Sequence, residues 1–173
     1  MDTLETERLF MRPLRADDLE SIRRTLQDEK AMYAYDGAFT DREAADWLIC
    51  QLLHYEDWGF GLYGVERKKD GKFIGQCGLT YQPWRDGKVL EVGYLLERSY
   101  WHHGYATEAS WAFMDYAFQK LHALEVSSLI RDTNIPSMNV ARRNGMVPVD
   151  DDVKYFRGVA RRYIRFCKKG EEF

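Results

Sequence analysis

The alternation of apolar and polar residues predicts a chain of mixed strands and helices. Seven segments are rich in β-branched and aromatic residues and end at glycine, proline or aspartate turns, as strands do. They are residues 6–14, 60–66, 72–81, 89–96, 124–131, 146–156 and 159–168. The second, third and fourth segments are joined by turns that contain Asp-Gly, with no helix between them. We therefore expect these three strands to be antiparallel.

Four helices are expected where apolar residues recur every three to four positions. The first has the acidic pair Asp17 and Asp18 in its first turn, and the second starts with a capping box at residues 40–43. The third follows Gly104. The fourth lies between Pro136 and Gly145, which is the usual placement of proline and glycine at the two ends of a helix.

The stretch of residues 89–118 joins a predicted strand to a predicted helix through a glycine turn at Gly104. The first backbone N–H groups of a helix have no partner within it, and the helix dipole is positive there. Such a turn favours a bound anion, and a phosphate or pyrophosphate is the natural ligand. A dinucleotide-binding fold requires GxGxxG and further βαβ units, and a P-loop requires GxxxxGK[ST]; the sequence contains neither.

Composition and charge limit the classes of protein. With 173 residues, 45% of them apolar and 14% aromatic, the chain can bury a core without disulfides or metal. The net charge of −3 does not indicate a nucleic-acid or membrane partner. The three cysteines lie far apart, and the sequence contains neither CxxC nor two histidines at the spacing of zinc ligands, so we expect no metal site. Since the sequence shows neither a signal peptide nor an apolar run of about 20 residues, we expect a cytoplasmic protein.

Residues 101–109, WHHGYATEA, resemble the acyl-CoA pyrophosphate loop of the GNAT N-acetyltransferases. They are most similar to the branch of the ribosomal-protein N-terminal acetyltransferases, in which tryptophan, glycine, any residue and GYATEA is the usual form. His102 stands where this branch usually has glycine, and His103 where it often has Lys, Arg or Gln. The form TERLxxRPL at residues 6–14 is also typical of the start of this branch.

Residues 134–146 resemble the second signature of the family. That signature is asparagine, two residues, serine, and later a basic residue, any residue, glycine and phenylalanine. Asn134, Ser137, Arg143 and Gly145 match it, and Met146 replaces the phenylalanine. In the family the asparagine contacts the pantetheine arm and the serine lies near the thiol. The resemblance implies these roles for Asn134 and Ser137.

The resemblance extends from residue 6 to about residue 168 and implies the fold. It is a mixed α+β fold with a mostly antiparallel twisted sheet of six or seven strands and about four helices. Strands 89–96 and 124–131 would run parallel and splay apart to admit the cofactor. We therefore expect residues 1–173 to form a single acyl-CoA N-acyltransferase domain. Homodimers are common in the branch, while the sequence itself leaves the oligomeric state open.

The resemblance also implies which residues bind the acyl donor, acetyl-CoA. They lie at the end of the central strand, in the glycine loop and in the second signature: Leu95, Leu96, His102, His103, Gly104, Tyr105, Ala106, Thr107 and Asn134. A backbone N–H of Leu95 or its neighbour would stabilise the oxyanion. Ser137 would donate a proton to the departing thiolate, directly or through water. A tyrosine acid has no clear counterpart, and Tyr155 and Tyr163 are the alternatives.

Glu91 is the candidate for the general base. It lies ten residues before Trp101, where the histone-acetyltransferase branch has its glutamate base. A carboxylate on a buried strand is desolvated, which raises its pKa toward a useful value. The alternatives are a purely structural Glu91, one of the acids at 150–152 (Asp150, Asp151 and Asp152), or a water chain with no single base.

Residues 29–39 are unusually aromatic for a loop, with Met32, Tyr33, Tyr35 and Phe39 close together. Exposing all of them to water would be costly. Two interpretations are equally open: the segment packs onto the core, or it forms a wall of the acceptor site.

The expected function is acetyl transfer from acetyl-CoA to a primary amine by direct attack in a ternary complex. A protein N-terminus, a polyamine, an amino sugar and an amino acid analogue are all compatible acceptors. The alternative is a non-catalytic acyl-CoA-binding sensor or partner-binding module, since His102 and Met146 depart from the two signatures. A third class, an RNA- or ribosome-binding protein that uses the basic residues of 154–169, is disfavoured by the net charge of −3.

Overall fold

The computed structural model describes residues 2–170, whose strands form one eight-stranded sheet. Strands β1 to β8 are, in chain order, Leu4–Glu5, Leu9–Pro13, Leu62–Arg67, Lys72–Trp84, Gly87–Leu96, Glu125–Arg131, Val147–Phe156 and Val159–Lys169. Their order across the sheet is β1-β2-β3-β4-β5-β6-β8-β7, and every neighbouring pair except β5 and β6 is antiparallel. The mixed, mostly antiparallel fold is therefore confirmed. The additional strand is β1, which has two residues and gives no periodic signal.

Four helices accompany the sheet, as predicted. Helices α1 to α4 are Leu19–Leu26, Asp41–Trp58, Tyr105–Gln119 and Ile135–Arg143. Helix α2 begins with the expected capping box: the Thr40 hydroxyl accepts from the Glu43 N–H at 3.2 Å, and the Glu43 carboxylate accepts from the Thr40 N–H at 2.7 Å. Short 3₁₀ turns occur at Ala16–Asp18, Tyr33–Tyr35 and Arg98–Tyr100.

Helices α2 and α3 cover opposite faces of the sheet. The Trp47 indole on α2 donates to Gln76 on β4 at 3.0 Å. On the other side, the ring of Phe113 on α3 lies 5.2 Å from the ring of Tyr63 on β3, and Tyr63 pairs with Cys77, the residue after Gln76. Neighbouring residues of a strand point to opposite faces. The sheet is therefore a central layer with an apolar core on both sides.

The aromatic segment at residues 29–39 packs onto this core. Met32 is fully buried and Phe39 is 9% exposed. Tyr35 contacts Phe39 and Trp47 edge-on, with ring centroids 6.1 and 5.9 Å apart. The segment is thus part of the packed structure, and Tyr35 also lies near the site described below.

The parallel pair β5–β6 separates after a single bridge, between Glu91 and Ser127. Continued parallel pairing would join the Leu129 N–H to the Val92 carbonyl. Side chains take both groups instead: the Glu91 carboxylate accepts from the Leu129 N–H at 3.0 Å, and the Ser128 hydroxyl donates to the Val92 carbonyl at 3.2 Å. Beyond this point the two strands enclose a wedge-shaped opening, which we call the cleft.

Glu91→Ala is expected to lower the free energy of unfolding by about 1–3 kcal/mol, because the part-buried Leu129 N–H loses its acceptor. Glu91→Gln keeps an oxygen for that N–H and serves as the matched control. Urea unfolding of both variants measures the difference. Equal stability of the two variants would show that Glu91 does not support the strand separation.

The Glu91 carboxyl group should also make the stability of the protein depend on pH. Burial raises the pKa of Glu91 from its ordinary value of 4.5 to about 7, so the folded protein holds this proton more tightly than the unfolded chain. Its stabilising contribution is complete below about pH 4.5 and is lost as the pH rises through 7, by at most about 3 kcal/mol. Wild type should lose this stability relative to Glu91→Gln in urea unfolding between pH 5 and 8. Parallel stability profiles would contradict the raised pKa.

Candidate active site

The N-terminus of α3 presents uncommitted backbone donors. Gly104 precedes the helix in a left-handed conformation, φ 81°, and provides no side-chain cap. The N–H groups of Tyr105, Ala106 and Thr107 find no acceptor within residues 2–170, because the first helical bond is donated by Glu108 to the Gly104 carbonyl. The helix dipole adds positive potential at the same place. This end of α3 can therefore hold an anion.

Two residues of the turn before α3 need a left-handed backbone. His102 has φ 63° and Gly104 has φ 81°. A left-handed conformation favours glycine, which accounts for the glycine that usually stands at the His102 position. The histidine keeps the turn shape at some cost in backbone strain. A Cβ on Gly104 would lie 3.4 Å from the Arg8 guanidinium.

The start of the chain holds this turn in place through three residues, Thr6, Arg8 and Glu108, which we call the clamp. The Glu108 carboxylate accepts from the Thr6 hydroxyl at 2.5 Å, from the Arg8 N–H at 2.9 Å and from the Arg8 guanidinium at 2.7 Å. The same guanidinium donates to the His103 carbonyl at 2.9 Å. Burial acts to raise the pKa of Glu108, but hydrogen bonds from Thr6 and Arg8 hold it below its ordinary value.

An open groove of about 1220 Å³ lies beside the clamp. It is bordered by the chain start, α3 and the end of α4, and includes Gly104, Thr107 and Arg143. Arg143 matches the basic residue of the second signature, and here it adds a cation to the groove that Gly104 and Thr107 at the start of α3 also line. The groove is large enough for a nucleotide-sized ligand.

The ladder between β4 and β5 decides which backbone groups face the cleft. Leu95 pairs with Gln76, and alternate residues of a strand direct their backbone groups to opposite neighbours. The Val92 carbonyl accepts from Ser128, and the Leu96 carbonyl accepts from the Trp101 indole at 2.8 Å, so even-numbered residues face away from β4. The Leu95 N–H is therefore directed to β4, and its neighbours Tyr94 and Leu96 present their N–H groups to the cleft.

Asn134 and Ser137 meet at the N-terminus of α4. The Asn134 side chain accepts from the Ser137 N–H at 3.2 Å and caps the helix. Tyr94 reaches them across the cleft, with its hydroxyl donating to the Ser137 carbonyl at 3.0 Å. Burial raises the pKa of Tyr94, while the adjoining Ser137 side chain lowers it.

Tyr94 is the tyrosine that lies beside Ser137, and the sequence did not indicate it. Tyr155 is 76% exposed, and the Tyr163 hydroxyl donates to the Ala34 carbonyl at 3.3 Å. The sequence places Tyr94 on the central strand, on the face opposite Glu91. Only the arrangement of the strands and helices shows that this face is the one that meets Ser137.

Glu91 faces the α2 side of the sheet, opposite Thr80 on β4. Burial raises its pKa to about 7, although the Leu129 N–H and Lys154 both act to lower it. The residue is partly exposed. A Cβ built on Gly93, two residues later on the same face, would meet only Leu62, at 3.9 Å. Open space therefore adjoins a carboxylate that titrates near neutral pH.

The three alternative acids are placed differently. Asp150 accepts from the Trp84 indole at 3.1 Å and from Arg165 at 2.9 Å, and Arg165 holds its pKa below the ordinary value. Asp151 pairs with Arg162 at 2.9 Å, with the same effect on its pKa. Asp152 forms no ion pair among residues 2–170 and accepts from the N–H of the next residue, Val153, at 2.8 Å. Paired carboxylates of low pKa are poor general bases.

Within the described part of the chain, no group of three or more His, Cys, Asp or Glu side chains could hold a metal ion. None of the described helices is long and apolar enough to span a membrane.

Comparison with known proteins identifies the family. The family described as "Acetyltransferase (GNAT) domain" matches residues 8–147. A curated relative, the uncharacterized protein YkkB of Bacillus subtilis (strain 168), is 32% identical over 144 residues, which are 83% of this chain and 84% of that protein.

Solved structures show the same fold. The GNAT-family acetyltransferase from Bacillus anthracis has a TM-score of 0.82 at 19% identity, covering 99% of this chain and 100% of its own. RimL, the ribosomal L7/L12 α-N-protein acetyltransferase, in complex with coenzyme A has a TM-score of 0.78 at 15% identity, covering 98% of each chain. The resemblance stated from the two sequence signatures is confirmed. The chain belongs to the GNAT acetyltransferase family and is an acetyl-CoA-dependent acyltransferase.

Proposed function

We propose that the protein transfers the acetyl group of acetyl-CoA to a primary amine by direct attack in a ternary complex. The observation that carries the proposal is Glu91, a carboxylate with a pKa of about 7 beside the open space at Gly93. It lies where β5 and β6 separate. A base of this strength can take a proton from an amine at neutral pH.

The donor would bind from the α3 loop to the cleft. The N–H groups of residues 105–107 and the Arg143 side chain would hold its phosphates, and the clamp would keep His102, His103 and Gly104 in place. Asn134 would position the pantetheine arm at the start of α4. This arrangement leaves the thioester between the two strands, close to the groups that act on it.

The reaction would proceed in one attack. The amine nitrogen forms a bond to the thioester carbonyl carbon, Glu91 takes a proton from the nitrogen, and the carbon–sulfur bond breaks. A backbone N–H that faces the cleft, from Tyr94 or Leu96, would stabilise the negative charge on the carbonyl oxygen. The Ser137 hydroxyl would donate a proton to the thiolate as the carbon–sulfur bond breaks and take one back from water. Glu91 would release its proton to water, so that coenzyme A leaves as the thiol. The Tyr94 hydroxyl, which donates to the Ser137 carbonyl, would hold that residue in place.

Incubation with acetyl-CoA and a panel of amines, while free thiol is followed, tests this function. An acetyltransferase releases thiol only when a suitable amine is present. Binding of acetyl-CoA without thiol release from any amine would instead indicate an acyl-CoA sensor.

Gly104→Asp is expected to weaken acetyl-CoA binding at least tenfold, because it places a carboxylate against the phosphates and strains a left-handed residue. Gly71→Asp is the matched control, since Gly71 also has positive φ, 66°, but lies in the β3–β4 turn with no atom within 4 Å of an added Cβ. Calorimetric titration of both folded variants measures the difference. Unchanged affinity of Gly104→Asp would contradict the phosphate loop.

Glu91→Gln is expected to lower the rate of acetyl transfer by ~10²–10⁴ near pH 7, because it keeps the size and the Leu129 contact but removes the proton acceptor. The loss should shrink at high pH, where unprotonated amine is abundant. The wild-type rate should rise through about pH 7. If the profile of Glu91→Gln ran parallel to wild type at every pH, the base would lie elsewhere, and Asp152 would be the next residue to replace.

A further inference from the structure

Strand β7 lies over the β4–β5 hairpin on the face that Glu91 occupies. The Trp84 indole donates to Asp150 at 3.1 Å, and the Arg85 guanidinium donates to the Asp151 carbonyl at 3.0 Å. Further along β7, the Lys154 ammonium lies 5.4 Å from the centroid of the Trp84 ring. These contacts place Lys154 over the indole at the same side of the sheet as Glu91.

Lys154 differs from the arginines of the β7–β8 hairpin, each of which has a carboxylate partner. The four partners lie within 2.9 Å: Arg157 with Glu43, Arg161 with Asp36, Arg162 with Asp151, and Arg165 with Asp150. Lys154 has no hydrogen bond or ion pair to any of residues 2–170, and its side chain is half-buried. Burial lowers its pKa, as is usual for a cation that lacks a partner. A half-buried charge of this kind is normally matched by an opposite charge.

The charged groups around Lys154 place it near Glu91, where the acceptor amine would bind. Glu91 raises the pKa of Lys154 more than Asp152 does, although Asp152 is only two residues away on the same strand. The charge of Glu91 also acts to raise the pKa of Tyr35 and of Tyr163. The strand contacts agree, since Tyr163 pairs with Asp152 on β7 and the Tyr35 ring lies 6.0 Å from the ring of Phe156, two residues after Lys154. Glu91 and Lys154 therefore border one region on the same face of the sheet.

We propose that Lys154 binds an anionic group of the acceptor, so that the substrate is a primary amine that also carries a carboxylate or a phosphate. This inference rests on the proposed function and narrows its acceptor class. The amine would approach Glu91 while the anionic group pairs with the ammonium above Trp84. A free amino acid or an aminoalkyl phosphate has this chemistry, whereas a polyamine lacks it.

Matched pairs of amines test the subsite by thiol release. The first arm compares free α-amino acids with their amides, and the second compares aminoalkyl phosphates with the corresponding amino alcohols. Wild type should prefer the anionic member in at least one arm, and the arm that responds identifies carboxylate or phosphate. Lys154→Met should lower kcat/KM for that anionic member by roughly 10- to 100-fold, mainly through KM, and leave its neutral counterpart unchanged.

Two further variants serve as controls. Lys154→Arg keeps the charge and should retain the preference for anionic amines. Lys88→Met removes another lysine that lies over an aromatic ring, 4.3 Å from the Tyr81 centroid, but on the opposite face of the sheet. It should have no effect on the preference.

The outcomes separate this inference from the proposed function. Equal turnover of neutral and anionic amines by wild type, or an equal loss for both in Lys154→Met, would overturn the anion subsite and leave the acetyltransferase intact. The absence of thiol release with any amine would overturn both.

Discussion

The structure depends on where the parallel pairing of β5 and β6 stops. Two side chains end it, since Glu91 takes the Leu129 N–H and Ser128 takes the Val92 carbonyl that would otherwise pair with each other. Because these two backbone groups remain satisfied, the strands can separate at this point without leaving either of them unpaired. Burial at this point raises the pKa of Glu91, although the Leu129 N–H acts to lower it, and the carboxylate lies where the cleft begins.

The second requirement is a fixed loop at the other end of the donor site. Helix α3 alone would provide free N–H groups, but the shape of the turn before it depends on the clamp. Thr6 and Arg8 lie at the edge of the sheet and Glu108 lies in the first turn of α3, so the clamp joins the chain start to the anion-binding turn. This contact makes the opening strands part of the donor site, although they lie far from it in the sequence.

Local patterns in the sequence predicted the helices and strands. Contacts between distant segments determine which residues can act in the site. The capping box at residues 40–43 and the glycine before α3 are local, and both were placed correctly. By contrast, the two-residue strand β1 exists only through pairing with β2. The direction of the Leu95 N–H and the approach of Tyr94 to Ser137 depend on strand register, which no single segment determines. The clamp joins Thr6 and Arg8 to Glu108, about one hundred positions later in the chain. The sequence showed that both segments resemble family motifs, but it did not show that their side chains contact each other.

The central claim is that one carboxylate both ends the strand pairing and acts as a base near neutral pH. A carboxyl ¹³C NMR titration of the glutamate-labelled protein, with the Glu91 signal assigned by its loss in Glu91→Gln, measures that group directly. The account predicts a midpoint near pH 7 for Glu91. A midpoint near the ordinary value of 4.5 would show that Glu91 is solvated and would contradict both roles.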